Sequence, residues 1–278
     1  MDQYHVIGNP IAHSKSPQIH ARFAQLTGQH LRYDPLLVEL GRFDAVLEEL
    51  IKRGVRGCNV TVPFKQDAFA RADRLSERAE LAGAANTLSL DGGLVLADNT
   101  DGLGLVRDIE VNAGRCLRGL DIGLLGAGGA SAGALGPLLN CGARRIVVAN
   151  RTVAKAEALI ERHRRHPAMQ AALANTELLA LPLDAHLPAF DVLINATAGS
   201  LAGAALPITP ACLKGGALVY DMMYGPAAAG FLQWAAAAGA HGRDGLGMLV
   251  EQAAESFLIW RGLRPPADDV LTQLRQAL

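Results

Sequence analysis

Aromatic residues are scarce, at 5% of 278 positions, and neither sign of charge dominates. Lys and Arg total 26 against 27 Asp and Glu, for a formal net charge of −1. No basic stripe runs along the chain, which argues against a nucleic-acid partner. The local run Arg162, His163, Arg164, Arg165, His166 reads as a solvated helix end. Cysteine is sparser still. Cys58, Cys116, Cys141 and Cys212 are scattered, with no CxxC pair and no metal-ligand spacing. Each reads as a small buried hydrophobe in a reducing cytoplasm. His13 and His20 lack a metal pattern such as HExxH and are expected to pack or cap, so no metal site is predicted. Asp2 and the strand-like run after it read as a strand, so no signal peptide is expected there. The stretch 192–213 carries no charge, but Asn195, Thr197, Ser200, Pro207 and Pro210 argue for a strand and loops, not a membrane span. No repeat of fixed period is present.

What is abundant is Ala, Leu, Gly and Val. Half the residues are hydrophobic, enough for a sizeable core, and the blend suits α/β layers. Strands are predicted at 5–8, 31–38 and 58–62, the last stopped by Pro63, with helices from Pro17 and around 43–51. This βαβαβ order implies a parallel sheet. Asp91-Gly92-Gly93 between two apolar runs is a hairpin signal. A second α/β unit starts at Asp121. Its strands are predicted at 122–125, 145–149, 177–180, 191–195 and 217–220, with closing helices near 247–261 and 267–277.

Gly126-Ala127-Gly128-Gly129-Ala130-Ser131 lies between a strand and a helix. Glycines there permit a tight turn and close backbone approach, and the helix N-terminus offers free N–H groups to a pyrophosphate. The same turn also serves α/β proteins without a nucleotide. The next strand ends Asn150-Arg151-Thr152, where an NAD site carries an acid roughly 20 residues after the glycines. Arg151, helped by Lys155 one turn on, suits a 2′-phosphate instead, so NADP is the expected cofactor. The plainer alternative makes Arg151 and Lys155 exposed charges and Thr152 a helix cap. Asn195-Ala196-Thr197-Ala198-Gly199 follows another strand, where such folds place ligands.

Gly8-Asn9-Pro10-Ile11-Ala12-His13-Ser14-Lys15-Ser16-Pro17 joins the first strand to the first helix. Ser16 before Pro17 reads as an N-cap. Ser14, two residues earlier in an extended segment, would point the same way, and the two hydroxyls could hold a carboxylate. In Asn59-Val60-Thr61-Val62-Pro63-Phe64-Lys65, Asn59 and Thr61 would share one strand face and Val60 and Val62 the other. Asn86-Thr87 and Asn99-Thr100-Asp101-Gly102 complete the polar set, although Asp101 alone reads as a helix N-cap.

These stretches, with Gly247-Met248-Leu249-Val250-Glu251-Gln252, resemble the shikimate dehydrogenase family in order and spacing from Gly8 to Gly262. The resemblance implies an α/β substrate domain at 1–101, a Rossmann-type NADP domain at 102–245, and C-terminal helices 246–278 that return to the first. It implies that Lys65 and Asp101 are the catalytic pair. It places Ser14 and Ser16 on the substrate carboxylate, and Thr61, Asn86, Asp101 and Gln252 on the ring hydroxyls, with Tyr224 nearby. Gly126, Ala127, Gly128, Gly129, Ala130, Asn150, Arg151, Thr152, Lys155, Met222 and Gly245 would meet the cofactor. The implied reaction is reversible NADPH-dependent reduction of 3-dehydroshikimate in chorismate biosynthesis, by a cytoplasmic enzyme that could form a homodimer. Lys155 stands where relatives often carry Arg, Ala229 near a position where they often carry Thr, and the loop after Asn195 is rich in Ala and Gly. Three alternatives stay open: a quinate/shikimate dehydrogenase with relaxed NAD use, a non-catalytic NADP-binding regulatory module, and, against the paired serines, a folate-linked dehydrogenase.

Overall fold

The computed structural model describes residues 1–197 and 206–277. Ala198, Gly199 and Ser200 of the stretches singled out above lie outside the described residues. The chain divides into two compact units, residues 1–104 with 249–277, and residues 105–248.

The first unit is built on a six-stranded sheet. Strand β1 (Asp2–Gly8) lies between β2 (Leu31–Leu37) and β3 (Gly57–Val60), parallel to both. Helices α1 (Ser16–Thr27) and α2 (Phe43–Lys52) make the crossovers. Phe43, Leu47 and Leu50 recur at helical spacing and are buried with Ile7, Val60 and Phe64. Helix α1 stops at Gly28, whose φ of 65° is a left-handed cap. The sheet then turns antiparallel. Helix α3 (Lys65–Arg71), the short strand β4 (Arg74–Leu75) and helix α4 (Glu77–Ala82) lead into the hairpin β5 (Thr87–Asp91) and β6 (Leu94–Asp98). Gly92 and Gly93 both have positive φ, as a two-residue primed turn needs. The strand order is β2-β1-β3-β5-β6-β4.

Helix α5 (Asp101–Arg107) carries the chain onward and continues as a single π-helical turn, Asp108–Asn112. The second unit has six parallel strands: β7 (Asp121–Leu125), β8 (Arg145–Asn150), β9 (Glu177–Pro182), β10 (Phe190–Asn195), β11 (Leu213–Asp221) and β12 (His241–Asp244). Their order is β12-β11-β10-β7-β8-β9. That is the doubly wound dinucleotide-binding order, with its switch point between β7 and β10. Among the connecting helices are α6 (Gly129–Asn140), α7 (Val153–Arg165), α8 (Gln170–Leu173) and α9 (Ala229–Ala237). Helices α10 (Leu246–Arg261) and α11 (Asp268–Gln276) end the described chain.

Several expectations need correction. Strand β3 ends at Val60, not Val62. Thr61 still donates its N–H to Ile7, but the Phe64 N–H closes a turn on Thr61, and Val62 is 67% exposed. The alternating faces read across Thr61 and Val62 therefore do not exist. Ser16 is the first residue of α1, not its cap; the cap position is held by Lys15, whose side chain makes no cap bond. The segment before it is turned, not extended, with the Ser14 N–H donating to the Ile11 carbonyl. His163 is fully buried within the basic run, because it lies on the inner face of α7 with Leu159 and Ile160. Only Cys58 and Cys212 are buried; Cys116 is exposed and Cys141 half-exposed, both lying at loop or helix ends. His20 packs as expected, stacked on Tyr33 at 4.1 Å, whereas His13 is exposed.

Candidate active site

The polar core of the first unit centres on Asn86, at the foot of β5. Its Nδ2 donates to Asp101 Oδ1 (2.9 Å), Thr100 Oγ1 (2.9 Å) and Gln252 Oε1 (3.2 Å), and its Oδ1 accepts the Thr100 N–H (2.9 Å). Asp101 opens α5, and its other oxygen, Oδ2, meets Lys65 Nζ at 2.6 Å. The Asn99 side chain accepts the Asp101 N–H, so Asp101 spends its carboxylate on Lys65 and Asn86 rather than capping its own helix. Lys65 opens α3 just after Pro63 and keeps 30% of its side chain in solvent, against 13% for Asp101. The ammonium is thus held by one carboxylate yet open to a ligand.

Lys65, Asp101, Asn86 and Gln252 form one hydrogen-bonded group. Thr61 shares the β3–α3 turn with Lys65. A Cβ on Gly8 would stand 2.6 Å from the Thr61 methyl and 2.9 Å from Ile11, so Thr61 lies over the start of the loop that carries Ser14. Ser14 Oγ accepts the Ser16 N–H at 3.3 Å, which joins the two serines. No hydrogen bond joins the serine pair to Lys65 or Asp101 among the described residues. Tyr224 belongs to the other unit, where burial pushes its phenol up from the ordinary value.

A second layer supports this group, and much of it went unread in the sequence. Asn59 donates to Thr87, Ser256 and the Asn86 carbonyl, and accepts from Tyr33 OH at 2.7 Å. Asn59 therefore locks the sheet beneath the site instead of facing a ligand. Thr100 sits inside a stretch that the sequence singles out, but its spacing carries no sign that it clamps Asn86. Ser256, one turn after Gln252 on α10, gave no signal at all.

In the second unit a cavity of about 700 Å³ opens at the carboxyl ends of the strands. Gly126, Ala127, Gly128, Asn150, Arg151, Thr152 and Lys155 line it, with Ala196 and Thr197 beyond the switch point. Gly126 has φ of 102°, and a Cβ there would press within 3.2 Å of the Ala196 carbonyl, so only glycine fits. A Cβ on Gly128 or Gly129 would meet nothing within 4 Å, which leaves the N-terminus of α6 open to an incoming group. Asn150 donates to the Thr152 carbonyl at 2.8 Å and fixes the turn that presents Arg151. Thr152 occupies the cap position of α7 but its side chain makes no cap bond. This donor set fits a dinucleotide carrying an extra phosphate: free helix N–H groups for the pyrophosphate, and two cations for a second anion. Leu183 and Asp184, which also line the cavity, follow β9 with no motif to flag them.

Met222 and Gly245, which follow β11 and β12, are brought together. Met222 donates its N–H to the Asn195 carbonyl (3.0 Å) and Gly245 donates to Met223 (2.9 Å). A Cβ on Gly245 would collide with the Met222 carbonyl. Asp221 braces this turn, accepting from Asn195 Nδ2 (3.0 Å) and the Met223 N–H (2.8 Å). Among the described residues, no group of three His, Cys, Asp or Glu is placed to hold a metal, and no helix is long and apolar enough to cross a membrane.

Comparison with known proteins settles the family. Residues 6–88 match the shikimate dehydrogenase substrate binding domain, 110–202 the shikimate/quinate 5-dehydrogenase family and 245–275 the shikimate 5′-dehydrogenase C-terminal domain. The chain belongs to the shikimate dehydrogenase family. A shikimate dehydrogenase (NADP(+)) of Acidovorax sp. (strain JS42) is 60% identical over 100% of this chain and 97% of its own. The corresponding protein of Janthinobacterium sp. (strain Marseille) is 53% identical over 100% of this chain and 98% of its own. Among solved structures, an Ael1 enzyme from Pseudomonas putida superposes with a TM-score of 0.90 at 43% identity, covering 99% of this chain and 98% of that one. Shikimate 5-dehydrogenase from Thermus thermophilus, in complex with NADP(H) and shikimate, gives 0.84 at 31%, covering 100% of both. The family is one of NADP-dependent oxidoreductases, in agreement with the sequence reading.

Proposed function

We propose that this chain reduces 3-dehydroshikimate to shikimate with NADPH, reversibly, and that Lys65 and Asp101 handle the proton. The observation that carries this is the 2.6 Å contact between Lys65 Nζ and Asp101 Oδ2, with the second carboxylate oxygen pinned by Asn86. Residues 1–101 with the C-terminal helices 246–278 would bind substrate, and residues 102–245 NADP. Arg151 and Lys155 would hold the 2′-phosphate, the N-terminus of α6 the pyrophosphate, and Met222 and Gly245 would also meet the cofactor.

When bound, NADPH supplies the hydride. Lys65 then has two tasks. Its ammonium stabilises negative charge as it develops on the carbonyl oxygen, and it delivers the proton that makes the product hydroxyl. Asp101 holds the ammonium in place, and cannot rotate away because Asn86 holds its Oδ1. In the oxidative direction the same pair receives the hydroxyl proton. Ser14 accepts the Ser16 N–H through Oγ and retains its own O–H to donate to the substrate carboxylate. Gln252 accepts from Asn86 and donates one amide hydrogen to the Leu249 carbonyl, leaving the second for a ring hydroxyl. Thr61 and Tyr224 would complete the hydroxyl contacts, with Asn86 exchanging one of its present acceptors for a ring hydroxyl. A cytoplasmic location suits the four free cysteines, and a homodimer is the assembly to look for.

The test is absorbance at the NADPH band with shikimate or quinate and NADP⁺ or NAD⁺. Rapid reduction of NADP⁺ with shikimate alone supports the proposal. Comparable turnover with quinate and NAD⁺ would replace it with the broader dehydrogenase. Binding of NADP⁺ without turnover of either substrate would replace it with a regulatory module.

A further inference from the structure

Asp108 is fully buried, and the mechanism above does not use it. Its carboxylate accepts from Tyr220 OH (2.8 Å), Arg243 Nε (2.7 Å), Arg243 Nη2 (2.5 Å) and Asn112 Nδ2 (2.9 Å). A buried carboxylate without such partners would be strongly destabilising, so this cage is a condition of having the residue at all. The question is what the caged charge does.

Two helices meet it. The π-helical turn holding Asp108 continues directly from α5, whose first residue is Asp101. Gly247, in the first turn of α10, lies so close that a Cβ there would collide with the Asp108 carboxylate. The start of α10 can rest on Asp108 only because residue 247 has no side chain. Further along α10, Gln252 accepts from the same Asn86 amide that holds Asp101. The helices bearing Asp101 and Gln252 are therefore tied at one end through Asn86 and at the other through Asp108 and Gly247. At 1.5 Å per residue, about 10 Å of helix separates Asp101 from Asp108 and about 8 Å separates Gly247 from Gln252.

We propose that Asp108, seated against Gly247, is a positioning residue that sets where Asp101 and Gln252 stand relative to Lys65 and the substrate. This rests on the reading of Lys65 and Asp101 as the proton-transfer pair. Helices transmit displacement along their axes, so a side chain forced between Asp108 and α10 moves the far ends as well. Misplacing a catalytic group by about 1 Å costs up to roughly a hundredfold in rate.

The experiment uses the full chain and compares wild type with Gly247→Ala and Tyr220→Phe, which keeps the ring and removes one hydrogen bond to Asp108. Rates are expressed per NADP⁺-binding site, counted by titration, so that unfolded protein drops out. Gly247→Ala should lower kcat about tenfold or more and raise the KM for shikimate, with the KM for NADP⁺ within about twofold of wild type. Tyr220→Phe should move the same two constants in the same direction by about threefold, and it carries the test if Gly247→Ala binds no NADP⁺. Unchanged kcat per site in a folded variant would overturn the proposal. So would a KM for NADP⁺ that rises in step with that for shikimate, since that marks general disturbance. A wild type that binds NADP⁺ but does not turn over shikimate overturns the active-site reading, and this inference with it.

Discussion

Lys65 and Asp101 are each the first residue of a helix, and their side chains meet at 2.6 Å across 36 positions of sequence. Helix N-termini carry partial positive charge, which favours the carboxylate and disfavours the ammonium. The carboxylate is thus the anchor of the pair, and the ammonium is the member free to follow a substrate oxygen. Lys65→Ala should lower kcat by roughly 10²–10⁴, with a smaller change in the KM for shikimate. Steady-state kinetics checks this, and an unchanged kcat would remove Lys65 from the chemistry. Lys65→Arg should restore little, because a guanidinium gives up no proton near neutral pH.

Arg151 stands at the rim of the second unit's cavity with Lys155 beside it. Replacing Arg151 by Ala should raise the KM for NADPH much more than that for NADH, since only NADPH carries the 2′-phosphate. Bidentate guanidinium contacts to phosphate contribute more than a single ammonium does. Lys155→Ala should therefore act in the same sense but more weakly. Parallel changes with both cofactors would show that neither residue reads the phosphate.

How much of this was legible beforehand depended on whether a residue's job is local. The glycine turn, the strand before it and Arg151 after the next strand act through backbone geometry and charge at fixed spacing, so the sequence displays them. The hairpin at Gly92-Gly93 was legible for the same reason. Strands β4 and β12 were not. Arg74-Leu75 is two residues long, and His241-Gly242-Arg243-Asp244 has no apolar alternation, so only pairing to a neighbour defines them as strands. The resemblance supplied Lys65, Asp101 and Gln252, but not the reason these three belong together. That reason is Asn86, Thr100 and Ser256, whose bonds reach across as many as 197 positions. The reading of Ser16 as a cap failed because a Ser-Pro pair matches helix starts generally, while here the helix begins one residue earlier than the rule places it.

Asn86 gives a test of that long-range network. Asn86→Ala strands the Thr100 N–H and frees Asp101 Oδ1 at a buried position, and leaves Gln252 Oε1 with only the Thr100 hydroxyl. Leaving buried polar groups unpaired costs about 1–3 kcal/mol each, so chemical denaturation should show a loss of several kcal/mol, and kcat should fall as well. A loss of stability below about 1 kcal/mol would mean that water replaces the amide without cost.

His20 sets a limit on acid tolerance. Its ring is fully buried, stacked on Tyr33 and flanked by Phe23, Phe257 and Trp260. Burial lowers its pKa to about 3, and the same cause lowers that of His163 to about 4. Unfolded histidine titrates near 6.5. Between those values the unfolded chain binds a proton at each site that the folded chain refuses. Stability from these two groups is thus complete above about pH 6.5 and is lost as pH falls toward 4 and then 3, by up to ~1.4 kcal/mol per pH unit per group. Urea midpoints measured from pH 7 to pH 4.5 should fall for wild type. His20→Phe keeps an aromatic ring in the stack but has nothing to protonate, so its midpoints should fall less steeply over the same interval. Identical slopes would mean that His20 is already protonated in the fold, or that the ring reaches solvent.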